Sequence, residues 1–198
     1  EAYAALAESY SRAFAEPSPH IDDFLALLPE NGQILDAGCG TGVDSAHMAT
    51  AGFQITGIDF SPEMLDFARK NAPTVNFYRQ DLCDLDLCPE SFEGILASYS
   101  LIHLKKKDVP GVLTAFHRAL KTGGVLCIGA QAGLSEEKII QAPLNPDVRT
   151  FLNVFSREEL ESLVKKAGFS DLRIFEDTPP TGKYLNFTKL CLLAKKTR

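Results

Sequence analysis

Residues Ile34 to Gly42 read Ile-Leu-Asp-Ala-Gly-Cys-Gly-Thr-Gly: an apolar pair, an acidic residue, then three glycines at every second position. This is the pattern of a buried strand that stops abruptly and hands over to backbone able to approach a ligand closely. Glycine is required where φ is positive or where a Cβ would touch the ligand. Asp59 follows at the end of the next apolar segment, Gln54-Ile-Thr-Gly-Ile-Asp59, 21 positions after Gly38. A carboxylate at that offset in a βαβ unit can accept hydrogen bonds from ribose hydroxyls. Loop and acid together imply a nucleoside-derived ligand.

The glycine spacing narrows the choice. A dinucleotide loop reads Gly-x-Gly-x-x-Gly and seats a pyrophosphate on a helix N-terminus. Here the glycines are Gly38, Gly40 and Gly42, and Val43 stands where the dinucleotide pattern has its third glycine. Asp36, two residues ahead of Gly38, would repel a pyrophosphate and suits a ligand carrying an ammonium group. The run from Asp36 to Gly42, followed by Gly57-Ile-Asp59, closely resembles motif I of the class I S-adenosylmethionine (SAM)-dependent methyltransferases. Their cofactor has an ammonium, a sulfonium, a ribose and no phosphate.

The resemblance implies a set of site residues. Asp36 and the loop Gly38, Cys39, Gly40, Thr41 and Gly42 would fix the methionine end, and Asp59 the ribose. Asp81 and Leu82 match the pair that holds the adenine in that family. Phe60 and Met64, with Ser61 between them, could wall the adenine and ribose. Ser98, Tyr99 and Ser100 fall at the end of the fourth strand, beside the same ligand. Tyr10, in Ala7-Glu-Ser-Tyr-Ser11, resembles a tyrosine that reaches the methionine moiety in many small-molecule methyltransferases. His103 can be read as a general base or as a residue lining the cofactor pocket. The stretch Phe92–Leu104 lacks the Asn-Pro-Pro-Tyr tetrapeptide of enzymes that methylate amino groups of adenine or glutamine, which argues against those substrates.

The elements that position these residues are legible as alternating patterns. Ahead of the loop, two apolar stripes at helical spacing end in Phe14 and Leu28, separated by Pro17-Ser-Pro19. Strand Gln33–Ala37 then leads to helix Gly42–Ala51, and strand Gln54–Ile58 to helix Pro62–Asn71. Ser61-Pro62 is a capped start with proline at the first helical position. Strands Val75–Arg79 and Gly94–Ser98 follow. A helix with the apolar face Val109, Val112, Leu113, Phe116, Ala119 and Leu120 is expected to be capped by Asp108 and ended by Gly123-Gly124. Strand Val125–Ala130 comes next. Residues 131–155 have weak periodicity and contain Pro143 and Pro146, which reads as an insertion or lid. Ser156-x-x-Glu159 is a capping box opening a helix with Leu160, Leu163, Val164 and Ala167 inward and Gly168 beyond its end. Final strands near Asp171–Glu176 and Phe187–Ala194 flank Thr178–Gly182, with no crossover helix between them.

Such alternation builds an α/β fold, a mostly parallel sheet with helices on both faces, and the last two strands must pair antiparallel. The methyltransferase resemblance implies a Rossmann-like three-layer sandwich of seven strands in the order 3-2-1-4-5-7-6, with an antiparallel C-terminal strand. Residues 1–198 read as one SAM-binding domain, with N-terminal helices over 1–30. Variable pieces, namely Tyr99, the 131–155 insertion and Tyr184–Phe187, would supply acceptor contacts. Phe151, Phe155, Tyr184 and Phe187 could form an aromatic pocket.

Composition limits the partners. The chain has 198 residues, 45% hydrophobic and 23% charged, with a formal net charge of −6. An acidic balance disfavours broad binding to a nucleic-acid backbone, which depends on clustered Lys and Arg. Lys105-Lys106-Lys107 is a local exception, read as a solvated loop before a helix. No stretch approaches the roughly 18 uninterrupted apolar residues of a membrane span. The first residue is Glu1 rather than Met, and nothing in Glu1–Glu16 resembles a secretory signal. The five cysteines, Cys39, Cys83, Cys88, Cys127 and Cys191, lack the paired spacing of a zinc site. Reduced thiols in a cytoplasmic protein are the simplest reading, with no metal at the site.

The chemistry so implied is methyl transfer to a small-molecule acceptor by in-line displacement. Alignment of acceptor and methyl carbon, with water excluded, contributes about 7–11 kcal/mol in reactions of this kind. Three other readings are distinct: an enzyme using a SAM-derived cofactor for another transfer, a SAM-binding partner subunit without turnover, and a nicotinamide oxidoreductase, which Val43 disfavours.

Overall fold

A computed structural model describes residue 8 and residues 12–142, 144–178 and 188–197. Tyr10, Tyr184, Phe187 and most of the Thr178–Gly182 turn lie outside the described residues. Helix α1 (Ile21–Leu25) precedes strand β1 (Gln33–Ala37), which runs through the glycine loop into α2 (Val43–Thr50). Strand β2 (Gln54–Asp59), α3 (Pro62–Asn71), β3 (Asn76–Arg79) and β4 (Phe92–Ser98) continue the alternation. Then come α4 (Val109–Ala119), β5 (Leu120–Gln131), a hairpin of β6 (Glu136–Ala142) and β7 (Asn145–Val154), α5 (Arg157–Lys166), β8 (Phe169–Asp177) and β9 (Lys189–Lys196).

The main sheet runs β3-β2-β1-β4-β5-β9-β8. With the separate β6–β7 hairpin set aside, this is the expected order, 3-2-1-4-5-7-6. The first five strands pair parallel, and β9 pairs antiparallel with both β5 and β8. Strand order reverses between β1 and β4, so the crevice outside their carboxyl ends is where such a sheet receives a ligand.

Alternating residues divide the core into two layers. Leu35, Ile95, Leu126, Ile128 and Leu192 pack with the inner faces of α4 and α5. Ile34, Leu96, Val125, Cys127 and Leu193 face the other way, against Ile21, Phe24 and Leu25 of α1 and Met48 of α2. A smaller cluster joins Cys39 to Leu65, Ala68 and Phe77 under α3. Cys127 and Cys191 are buried with their sulfurs 3.8 Å apart, as members of this apolar core. Among the described residues, no helix is long and apolar enough to cross a membrane.

Three expectations are corrected. Helix α4 ends at Ala119, with Leu120 extended, instead of running to Gly123-Gly124. The glycine pair lies inside β5, where pairing jumps from Phe92–Leu120 to Gly94–Val125 and the excess residues must loop out. Gly123 takes φ +82° there, and a Cβ on Gly124 would stand 2.9 Å from the Lys121 carbonyl. Asp108 makes no side-chain cap, because its backbone is already helical (φ −91°, ψ −24°) and not in the extended region that aims a cap at the first amides. The 131–155 segment, read as an insertion or lid, holds a hairpin paired from Glu136–Val154 to Ala142–Asn145 with a register shift at Gln141/Ala142.

The third correction concerns Lys106, which is no solvated loop lysine. Its Nζ sits 2.6 Å from Glu159 Oε2, 2.8 Å from Ser135 Oγ and 5.3 Å over the Phe155 ring, and its backbone N–H donates to Glu137. Glu159 is therefore half of a capping box: its N–H bonds Ser156 Oγ at 3.1 Å while its carboxylate turns to Lys106. One lysine thus ties the hairpin, α5 and the loop after β4 together. Leu160 and Val164 of α5 are buried, with Leu163 and Ala167 at the rim. Phe155 is fully buried in the core.

Lys106→Met should leave the sheet folded but raise amide hydrogen exchange across residues 136–154, since Lys106 is one of the polar ties that hold those strands. Phe116→Ala, at a fully buried position of α4, should cost about 3–5 kcal/mol by urea denaturation.

Candidate functional site

The glycine loop is held by its neighbours before any ligand is considered. The N–H groups of Gly38 and Cys39 both donate to the Ile58 carbonyl, at 2.8 and 2.9 Å, clamping the end of β1 to that of β2. Gly38, Gly40 and Gly42 have φ of +84°, +52° and +78°. A Cβ on Gly38 would lie 2.4 Å from Ser100 Cβ, and one on Gly42 2.8 Å from the Ala68 backbone. At Gly40 nothing lies within 4 Å of that position. The outer glycines are thus required by packing, and the middle one opens onto free space. Thr41 is buried, and its carbonyl accepts from Asn71 Nδ2 at 2.8 Å.

Asp59 closes the loop from β2. One carboxylate oxygen accepts from Gly40 N–H and the other from Ser61 N–H, each at 2.9 Å. Ser61 caps α3 through Met64 N–H and donates to Glu63, and Met64 is 3% exposed beneath it. Phe60 is 58% exposed, with the Arg79 guanidinium 5.3 Å over its ring and Arg79 Nε donating to its carbonyl.

Asp36 is 2% exposed and accepts from Ser45 Oγ, in the first turn of α2, at 2.6 Å. Burial, then the Asp44 charge beside it, pushes its carboxyl up to about 8 against a bond from Ser45 that opposes the shift. Burial also raises Asp44 and Asp59, in each case against hydrogen bonds that favour the charged form. The Cys39 thiol is pushed up by burial and by the Asp36 and Asp59 charges.

Sequence reasoning missed Asp44, Ser45 and Ser18. Ser18, just before α1, donates its N–H and its hydroxyl to Asp44 at 2.7 and 2.6 Å. Its single hydroxyl proton being committed there, Ser98 Oγ donates to Ser18 Oγ at 2.6 Å. Asp44 was available as a signal, being an acid in the first turn of the helix that follows the glycines; nothing in the sequence marks Ser18. Next to Ser98, Tyr99 adopts φ +52° and donates its N–H to the Gly129 carbonyl. Ser100 is buried against Gly38, with its hydroxyl unpartnered.

Asp36, the loop, Asp59, Ser61 and Ser98–Ser100 therefore converge at the carboxyl ends of β1, β2 and β4. Three further predicted residues make contacts of their own, next to Gln80, whose N–H donates to the Asp59 carbonyl, and after Ser100. Asp81 is exposed beyond β3, capping a 3₁₀ turn over Leu82–Asp84 by accepting from Cys83 N–H at 2.8 Å, with Leu82 half-buried behind it. His103 ends a second such turn and points to the hairpin, Nδ1 donating to the Phe151 carbonyl at 3.2 Å. Burial lowers its pKa to about 4, the hydrogen bond opposing this.

Residues 34–124 match the family described as Methyltransferase domain. The matched stretch runs from β1 into β5 and carries the glycine loop and Asp59. It is 40% identical to the methyltransferase-type protein YqeM of Bacillus subtilis over 106 residues, 51% of this chain and 43% of that one. The chain spans about half the length of the curated relatives it matches. A SAM-dependent methyltransferase structure from Methanosarcina mazei superposes with TM-score 0.78 at 20% identity, covering 92% of this chain and 99% of that one. The 1,6-didemethyltoxoflavin-N1-methyltransferase of Burkholderia thailandensis, solved with 1,6-didemethyltoxoflavin and S-adenosylhomocysteine, superposes with TM-score 0.76 at 22% identity over 98% of this chain and 85% of its own.

Within the loop the glycines should separate by experiment. Gly42→Ala is expected to lower the urea midpoint sharply, its Cβ meeting backbone. Gly40→Ala should cost only about 1–2 kcal/mol from its positive φ. His103, neutral when folded and titrating near 6.5 when unfolded, destabilises the fold as pH falls from about 6.5 towards 4. His103→Gln should therefore improve stability at pH 5 relative to pH 7, compared with the parent, by up to about 2 kcal/mol in paired denaturation curves.

Proposed function

We propose that this chain binds S-adenosylmethionine at the β1 loop and transfers its methyl group to a small-molecule acceptor. The carrying observation is the Gly40 opening rimmed by Asp36, Asp44 and Asp59. One buried and two half-buried carboxylates, none of them in a salt bridge among the described residues, fit a cationic, phosphate-free ligand and would repel a nucleotide phosphate. The bound cofactor supplies a methyl group on a sulfonium, a leaving arrangement that needs no nucleophilic residue from the protein.

In this reading Asp36, Gly38, Cys39, Gly40, Thr41 and Gly42 fix the methionine end. Asp59 takes the ribose hydroxyls with a carboxylate already oriented by two backbone N–H groups, so little ordering remains for binding to impose. Phe60 and Met64, set by Ser61, flank the ribose and adenine, and Asp81 with Leu82 takes the adenine edge. Ser98, Tyr99 and Ser100 line the side towards the acceptor, and Tyr10 is assigned to the methionine moiety by the family resemblance alone. A depressed His103 already committed to the Phe151 carbonyl is a poor general base; it supports the loop after β4. The Burkholderia relative, with a small acceptor bound beside S-adenosylhomocysteine, supports an acceptor of similar class.

Isothermal titration calorimetry with SAM tests the cofactor assignment. The parent should bind, and Asp59→Ala should weaken binding roughly 10- to 100-fold, the range for a lost charged hydrogen bond. No heat with the parent removes the proposal. Mass spectrometry of incubations with candidate acceptors should show a gain of about 14 Da, the CH₂ that methylation adds. SAM binding with no such gain across acceptor classes would favour a partner subunit.

A further inference from the structure

Asp36 is the most deeply buried of the three acids at the loop, at 2% exposure, and its one recorded side-chain partner is a neutral hydroxyl, Ser45 Oγ at 2.6 Å. The titratable groups facing it are Asp44 on α2, Asp59 on β2 and Cys39 in the loop. One step further out, His47 faces Asp44 and Arg69 faces Cys39, and both are engaged elsewhere. His47 Nε2 pairs with Asp22 at 2.8 Å, and Arg69 with Asp66 at 3.2 Å and the Phe77 carbonyl. Asp44 is held by Ser18 and Asp59 by the Gly40 and Ser61 amides, so each has donors to support a charge. Asp36 has the weakest support. A buried carboxyl beside two other acids and without a cation is favoured in its neutral form.

We infer that cofactor binding displaces a proton from Asp36, so that the site exchanges H⁺ for the positive charge of the ligand. The inference rests on the proposed SAM site. In the free protein the carboxyl holds its proton and donates or accepts neutrally beside Ser45. When the cationic end of SAM enters, the O–H bond of Asp36 is cleaved, its electron pair stays on the carboxylate, and the proton passes to solvent. Charge in the cavity is conserved, one positive centre replacing another. The upward displacement of this carboxyl by its burial agrees with that state in the absence of ligand.

The sign follows from linkage. A proton released on binding means affinity rises with pH, about tenfold per pH unit, up to the range in which Asp36 ionises by itself. The free α-amino group of SAM titrates near the same range, so the measurement belongs below it. Titration with SAM at pH 6.5, in two buffers of different ionisation enthalpy, should give heats that differ by the release of about one proton per ligand. Asp36→Asn should abolish the difference. Asp44→Asn, which removes a neighbouring like charge and leaves the Asp36 carboxyl in place, should shift the pH range of release downwards, and it keeps the test open if Asp36→Asn fails to fold. Equal heats in both buffers with clear SAM binding would overturn the inference alone. Undiminished release in Asp36→Asn would assign the proton to another acid and overturn it too. No heat in either buffer would instead remove the SAM site on which it stands.

Discussion

The carboxylate of Asp59 joins two segments that strand pairing cannot hold. Parallel strands β1 and β2 end side by side, and beyond them the chain leaves the sheet in two directions, into the glycine loop and into α3. Asp59 fastens both departures at once, taking the Gly40 N–H with one oxygen and the Ser61 N–H with the other. Loop shape and the cap of α3 therefore depend on a single side chain at a strand terminus. Buried backbone N–H groups require partners, and a carboxylate satisfies two of them without adding bulk to the cavity. This is also the constraint that lets Gly40 face open space while Gly38 and Gly42 are pressed against Ser100 and Ala68.

A second set of contacts brings the segment before α1 over the same strand ends. Ser18 bonds Asp44 and Ser98, while His20 lies between Asp23 and Asp177 at 2.9 and 2.8 Å and stacks on Phe175 at 4.1 Å. Burial alone would lower the His20 pKa, but the two carboxylates outweigh it and raise it. One short stretch thus reaches α2, β4 and β8. The segment stays in place through hydrogen bonds of Ser18 and His20 to carboxylates and the apolar packing of Ile21 and Phe24 that follow.

The parts of this structure legible in the sequence are those with one dominant local cause. Strand β1 and helix α3 fall at their expected residues because an apolar run ended by glycine, and a Ser-Pro start, each fix a boundary locally. Asp36, Gly38–Gly42 and Asp59 converge because strand ends in a parallel sheet are necessarily adjacent. What was not legible depends on partners far away in the chain. Gly123-Gly124 carries the same local signal as a helix stop, yet the register between β4 and β5 decides its use. Lys106 looks like a solvated charge until α5 supplies Glu159 and the hairpin supplies Ser135. The hairpin strands lack clear alternation because much of their surface is open: Ile139 is 60% exposed while Leu152 and Val154 are buried.

That hairpin connects the two sides of the proposed reaction. The turn after β4 starts at Ser100, which packs on the glycine loop, and ends at His103, which donates to Phe151 of β7. Asn153 of the same strand donates to the Leu104 carbonyl, so the turn is fastened to β7 at two successive points on one face. Residues that would contact an acceptor on β7 are consequently placed by the same short turn whose first residue borders the cofactor loop. Lowering the charge affinity of His103 through burial keeps this coupling intact near neutral pH, because a protonated ring would need water that the packing excludes. Positioning catalysis asks for two ligands held in fixed relation, and a turn of a few residues with both ends buried is a shorter and stiffer link than any route through the sheet.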